Sequence, residues 1–159
     1  MLPTKSFLQR VGAATVALGI AQGAYQLALD WSEKRHQFGR PISEFQGLQW
    51  KLADMSIKLS AAQALVYNAA RSGEGGFPDM LLAAQAKVFT SENAIQVVND
   101  ALQFFGARGY SRELPLERMA RDVRMFTIGG GTAEVLRNVV AGALLKKKLP
   151  QTRDGFSKA

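Results

Sequence analysis

The chain has 159 residues, 47% hydrophobic and 21% charged, the proportions of a globular chain long enough for one core. It has no cysteine and a single histidine, His36, which excludes disulfides, thiolate chemistry and cysteine or multi-histidine metal sites, so no metal is expected. The net charge of +7 divides into +4 over residues 1–72, −1 over 73–145 and +4 over 146–159; such a tail excess reads as a solvated helix end, without the aromatic-interleaved basic stripe of a nucleic-acid module.

Helical periodicity runs through the chain, no stretch alternates as a strand would, and an all-α fold is expected. The spacing predicts a first helix from Thr4 to about Phe38, stopped by Gly39-Arg40-Pro41. Its uncharged run Val11–Leu29 is interrupted by Gln22, Tyr25 and Gln26, so it reads as a core helix rather than a membrane span. Gly12, Gly19 and Gly23 are expected to permit close helix contact, His36 to be a solvated helix-end residue, and the protein to be soluble and cytoplasmic.

Ser43-x-x-Gln46 reads as a capping box opening a second helix to about Ser72. Leu48, Leu52, Met55, Leu59, Ala62, Leu65 and Val66 form its core stripe. A loop spans Gly73–Phe77, and Pro78 suits the first turn of a third helix ending at Phe105 and closed by Gly106. Residues 107–114 read as a polar loop. Pro115 starts a short helix to about Met125, broken by Gly129-Gly130-Gly131. Thr132 caps a last helix from Ala133 to Lys147, with Glu134 in its first turn. These elements predict a four-helix up-and-down bundle with a short extra helix over residues 1–150, and a flexible tail over 151–159.

Several stretches, in order, resemble the C-terminal helical domain of the acyl-CoA dehydrogenase family. They are Arg35-His36-Gln37-Phe38-Gly39-Arg40-Pro41-Ile42 with Phe45-Gln46, then Leu52-Ala53-Asp54-Met55, then Ala86-Lys87. Gln103-Phe104-Phe105-Gly106-Ala107-Arg108-Gly109-Tyr110 follows, then Pro115-Leu116-Glu117-Arg118, and finally Arg121-Asp122-Val123-Arg124 leading to Ile128-x-x-Gly131-Thr132. The resemblance implies an FAD flavoenzyme of fatty acid metabolism, built from an N-terminal helical domain, a β domain and this bundle, and assembled as a homotetramer. It implies that Arg35, Phe38 and Gln46 approach the cofactor of a neighbouring subunit, with Gln103 and Gly106 along its pyrophosphate and adenosine. Thr132 and Glu134 would face the cofactor of their own subunit. Arg10 would stand at the substrate end of the first helix, and Gly130 beside the acyl-CoA thioester.

The reaction implied is α,β-dehydrogenation: a carboxylate takes the α-proton while the β-hydrogen leaves as hydride to the flavin. One subgroup of the family places that glutamate at the position of Gly130; another places it on the first helix, here Gln9. Neither residue is a carboxylate, and glutamine does not accept a proton at neutral pH. The Gly130 N–H could still donate to a thioester oxygen, and Glu134, about one turn away, suits a capping or cofactor role. Three functions follow. The first is the C-terminal part of a dehydrogenase whose base comes from elsewhere. The second is a base-less, flavin-supporting subunit of a hetero-oligomer, and the third a flavin oxidase or monooxygenase on the same fold. Without the absent domains or a partner subunit, the chain by itself is expected to be inactive and to retain flavin weakly, and its uncovered apolar faces to self-associate.

Overall fold

Alanine sets how closely the long helices approach. The computed structural model describes residues 4–73 and 76–149; the expected tail over 151–159, and residues 74 and 75 of the expected loop, lie outside them. Helix α1 spans Thr4–Lys34, α2 Gln46–Arg71 and α3 Met80–Phe105. Along α1, Ala14, Ala17, Ala21, Ala24 and Ala28 are fully buried, and α3 answers with Ala83, Ala84, Ala86 and Ala101. Methyl-sized side chains on both helices permit the two backbones to approach closely. The glycines expected to do this do not: a Cβ on Gly12 or Gly19 would meet nothing within 4 Å, and Gly23 meets only the Met119 methyl at 3.7 Å.

Cross-contacts give the helix directions. Trp31 near the end of α1 touches Phe104 and Phe105 at the end of α3, so α1 and α3 run the same way. Early in α2, Lys51 pairs with Asp100 late in α3, so α2 runs opposite to both. Three helices thus run up, down and up. Helix α6, Ala133–Leu145, closes the bundle against α3, which contacts α1, α2, α5 and α6 alike. The expected short helix is α5, Leu116–Met125, capped by Pro115. Residues 107–114 do not form a plain loop, because Ala107–Tyr110 coils into a single helical turn, α4.

Three local expectations are corrected. Helix α1 ends at Lys34, not Phe38. His36–Gln37 (β1) and Arg40–Pro41 (β2) pair antiparallel as a minimal hairpin, with His36 opposite Pro41. Phe38 and Gly39 turn it with φ of +53° and +79°, the left-handed pair that a two-residue hairpin needs. The capping box at Ser43 does not form either. Ile42–Glu44 makes a 3₁₀ turn, Phe45 precedes α2 without a side-chain cap, and Gln49 binds the Ser43 carbonyl. Before α3 the cap is Asp79, which accepts from the Leu82 N–H, so Pro78 stands outside the helix. At the other end, Gly106 closes α3 as expected.

Of the predicted α2 stripe, Met55, Leu59, Ala62 and Val66 are buried, while Leu48, Leu52 and Leu65 are partly buried against the core. Among the described residues no helix is long and apolar enough to cross a membrane. Truncating Met55, fully buried, to alanine should cost about 2–5 kcal/mol of unfolding free energy in a urea titration. Ile57→Ala, at a side chain 65% exposed, should stay within about 0.5 kcal/mol; equal costs would show that the helix faces are misassigned.

Candidate functional site

Two groups of residues lie at opposite ends of the α1–α3 seam. Where both helices end, Trp31, Arg35, Gln37, Ile42, Leu48, Gln103, Phe104, Phe105, Gly106, Ala107 and Arg108 line an open cleft of about 360 Å³. Its wall is aromatic: Trp31 stacks on Phe105 with ring centres 4.7 Å apart, and its indole N–H donates to the Phe104 carbonyl at 3.2 Å. The Arg108 guanidinium lies 5.1 Å from the Trp31 ring centre, a cation–π arrangement. Gly106 has φ +57°, and a Cβ there would meet nothing within 4 Å. A ligand can therefore approach its backbone directly. Two guanidinium groups, an exposed amide at Gln103 and an open glycine backbone suit a phosphate-bearing ligand with a flat ring system.

The hairpin beside this cleft carries an exposed Phe38, 91% accessible and in left-handed backbone. Its ring meets Phe45 edge-on at 6.2 Å, and Arg40 sits 4.2 Å over the same Phe45. A large apolar side chain held in water by strained backbone is a feature to be explained by what it contacts elsewhere.

The second group surrounds the glycine turn before α6. Lys87, on the apolar face of α3, is 0% exposed and donates its ammonium to the Gly131 carbonyl. Burial, then the charge of Arg10, lowers the Lys87 pKa, while Glu134 and Glu92 oppose that. Burial also lowers the pKa of Arg10, on α1. Gly130 and Gly131 adopt φ of +72° and +99°, and the space above Gly130 is open, since a Cβ there would meet nothing within 4 Å. Their N–H groups donate to no backbone carbonyl among the described residues. Below the turn, Ala133 N–H reaches the Thr127 carbonyl at 2.9 Å and Arg124 binds the Thr127 hydroxyl.

Thr132 caps α6 by accepting from the Val135 N–H at 3.3 Å. Glu134 is exposed, and its carboxyl is held below the usual range by its own backbone N–H and then by the Thr132 side chain. A weakened carboxylate base at the surface is a poor substitute for one missing at Gly130. Next to it, Arg137 clasps Glu92 through two contacts of 2.7 Å, which raises the Arg137 pKa.

The sequence-expected residues thus divide. Arg35, Gln103 and Gly106 share one cleft; Phe38 and Gln46, both exposed, stand outside its lining. Arg10, Gly130, Thr132 and Glu134 gather near the other end of the seam, and Gln9 is exposed beside Arg10. The sixteen residues of α3 from Lys87 to Gln103 set the groups about 24 Å apart. His36 is exposed, its ring beside the Lys34 carbonyl. No cluster of metal-ligating residues occurs among the described residues. Sequence reasoning missed Lys87, Trp31 and Arg108 as site residues. For Lys87 a signal existed: a lysine inside a stripe of alanines.

The chain matches the family model described as acyl-CoA dehydrogenase, C-terminal domain, over residues 7–145. It is 68% identical over 145 residues to the 3-sulfinopropanoyl-CoA desulfinase of Paraburkholderia xenovorans, covering 91% of this chain and 37% of that one. The solved butyryl-CoA dehydrogenase from Megasphaera elsdenii superposes with a TM-score of 0.83 at 45% identity, over 86% of this chain and 36% of that one. The structure of PigA with FAD and proline superposes with a TM-score of 0.83 at 25% identity, over 87% and 36%. The chain spans about 37% of the length of the curated relatives named as desulfinases.

The Thr132–Glu134 contact has a pH signature. A carboxyl whose folded pKa lies below its unfolded value adds stability above the unfolded pKa and loses it as pH falls through the folded one. In an NMR titration, Glu134 should titrate below the reference 4.5, and Thr132→Ala should move it upward while costing the helix cap about 1 kcal/mol. An unmoved Glu134 titration would show that the hydroxyl does not hold the carboxylate.

Proposed function

The chain belongs to the acyl-CoA dehydrogenase family, and from that premise we propose that it is the C-terminal domain of an FAD-dependent enzyme that cleaves the carbon–sulfur bond of a 3-sulfinoacyl-CoA. One observation carries the reading. Gly130 and Gln9, the two positions where dehydrogenation would need a carboxylate, offer no proton acceptor, and the strongly identical relatives bear the name desulfinase. The net desulfination removes no α-proton. The C–S bond breaks, the β-carbon gains a hydrogen, and the sulfinate gains the hydroxyl of the same water: 3-sulfinopropanoyl-CoA and water become propanoyl-CoA and hydrogen sulfite. Atoms and charge balance, and no external electron acceptor is consumed.

Within this reading the two ends of the seam have separate tasks. Arg35, Gln103, Gly106 and Arg108 would hold the pyrophosphate and adenosine half of an FAD, with Phe38 and Gln46 on the adjoining hairpin and helix start. Thr132 and Glu134 would face the flavin half of a second FAD bound by their own subunit. The left-handed, exposed Phe38 supports a site completed across an oligomer interface, because that ring is otherwise left in water. When bound, FAD supplies a redox-active ring and a flat wall for the acyl chain. The Gly130 N–H would donate to the thioester carbonyl, orienting the substrate without a side chain. No heavy atom lies within 4 Å of where a Cβ on Gly130 would stand; in this reading that space would take the anionic β-substituent that a glutamate would crowd and repel, and Arg10 and Lys87 would favour its charge.

Two measurements check the reading. The flavin-loaded protein carrying this chain should release sulfite from 3-sulfinopropanoyl-CoA and should not bleach its flavin anaerobically with butanoyl-CoA; bleaching without sulfite release would identify a dehydrogenase with a base from elsewhere. Arg35→Ala should weaken FAD retention roughly tenfold or more, the value of a charge-assisted contact, while the 159-residue chain alone should purify colourless. Unchanged affinity would remove Arg35 from the cofactor site.

A further inference from the structure

A lysine with no exposed surface is unusual, and this one makes no direct ion pair among the described residues. The Lys87 ammonium carries three N–H donors. Its one hydrogen bond among the described residues goes to an uncharged acceptor, the Gly131 carbonyl. A methionine of similar length would fill the same space in the alanine-rich face without the desolvation of a charge. Core packing therefore does not account for lysine at this position.

What the contact does is visible in the turn it reaches. Gly129, Gly130 and Gly131 are three residues without a Cβ, free to sample both signs of φ. The first is tied by its N–H to the Met125 carbonyl at 2.8 Å. For the next two, the N–H groups are engaged by no backbone carbonyl among the described residues, and the Gly131 carbonyl is gripped by Lys87. The grip comes from α3, the most widely contacted helix of the bundle, and so transmits its rigidity to a segment that has little of its own. The charged groups acting on Lys87 come from three elements: Arg10 of α1, Glu92 of α3 and Glu134 of α6.

We propose that Lys87 is a positioning residue: its ammonium, through the Gly131 carbonyl, fixes the triglycine turn so that the Gly130 and Gly131 N–H groups present one orientation to the substrate's thioester. This rests on the reading of the turn as the thioester site. With only hydrogen at position 130, the lysine is the one side-chain tether of the turn among the described residues.

The test uses the flavin-loaded, full-length protein with Lys87→Met, which keeps volume and removes the donor, and Lys87→Gln, which keeps a neutral donor. Amide hydrogen exchange at Gly129 and Ala133, the hydrogen-bonded amides that flank the turn, should quicken at least about tenfold in Lys87→Met as the turn loses its tether. Turnover of 3-sulfinopropanoyl-CoA should fall roughly 10²-fold in kcat, as for a reactant displaced by about an ångström, with KM moving less than about threefold and flavin content unchanged. Lys87→Gln should recover part of both effects, and it carries the test alone should the methionine variant fail to fold. Unchanged exchange at the turn overturns the proposal, as does a fall in Tm with kcat per bound flavin intact. If the unsubstituted protein releases no sulfite, the functional reading fails while the exchange measurement still decides the role of Lys87.

Discussion

The placement of both candidate groups depends on the register between α1 and α3. Two parallel helices are locked by facing alanines whose small size tolerates little sliding, because a shift of one residue would set larger neighbours against each other. That lock places Trp31 and Arg35 against Phe104–Arg108 at one end, and it sets the charge of Arg10 to act on Lys87 at the other. Neither group is local in sequence: Trp31 and Phe104 are 73 residues apart, and Lys87 and Gly131 are 44 apart. A bundle built from leucines would be stable too, but its broader spacing would leave both groups looser.

Much of this was legible from the residues. The helix boundaries at Phe105, Pro115 and Thr132 followed from glycine, proline and capping chemistry, and the structure places them there. The hairpin at His36–Pro41 was not legible, because its turn is Phe-Gly where the usual signal is Asn-Gly, and because Arg35 and His36 continue a helical pattern up to it. The Ser43 box failed for a related reason. Pro41 fixes the entry to a 3₁₀ turn, so the chain reaches α2 through Phe45. The close helix contact expected of the glycines rests on the alanines, whose 3- and 4-residue spacing already carries it.

The candidate site was legible in parts for the same physical reason. Glycines and arginines at loop ends announce themselves, so Arg35, Gly106 and Gly130 could be named. Lys87 and Trp31 gain their roles only from which helix lies opposite them. A missing side chain is also information. The absence of a carboxylate at Gly130 and Gln9 limits the chemistry more firmly than most residues present, since a general base supplies about 10²- to 10⁴-fold in rate and neither glycine nor glutamine replaces it. What remains at the turn is backbone, which in the proposed reading would orient a thioester without moving a proton.

That claim can be read directly from the α-carbon. The flavin-loaded protein, incubated in heavy water with a saturated acyl-CoA such as butanoyl-CoA, should leave the C2 hydrogens unexchanged, at the rate seen without protein. Deuterium entering C2 faster than that background would reveal a working base against the α-carbon and contradict the account.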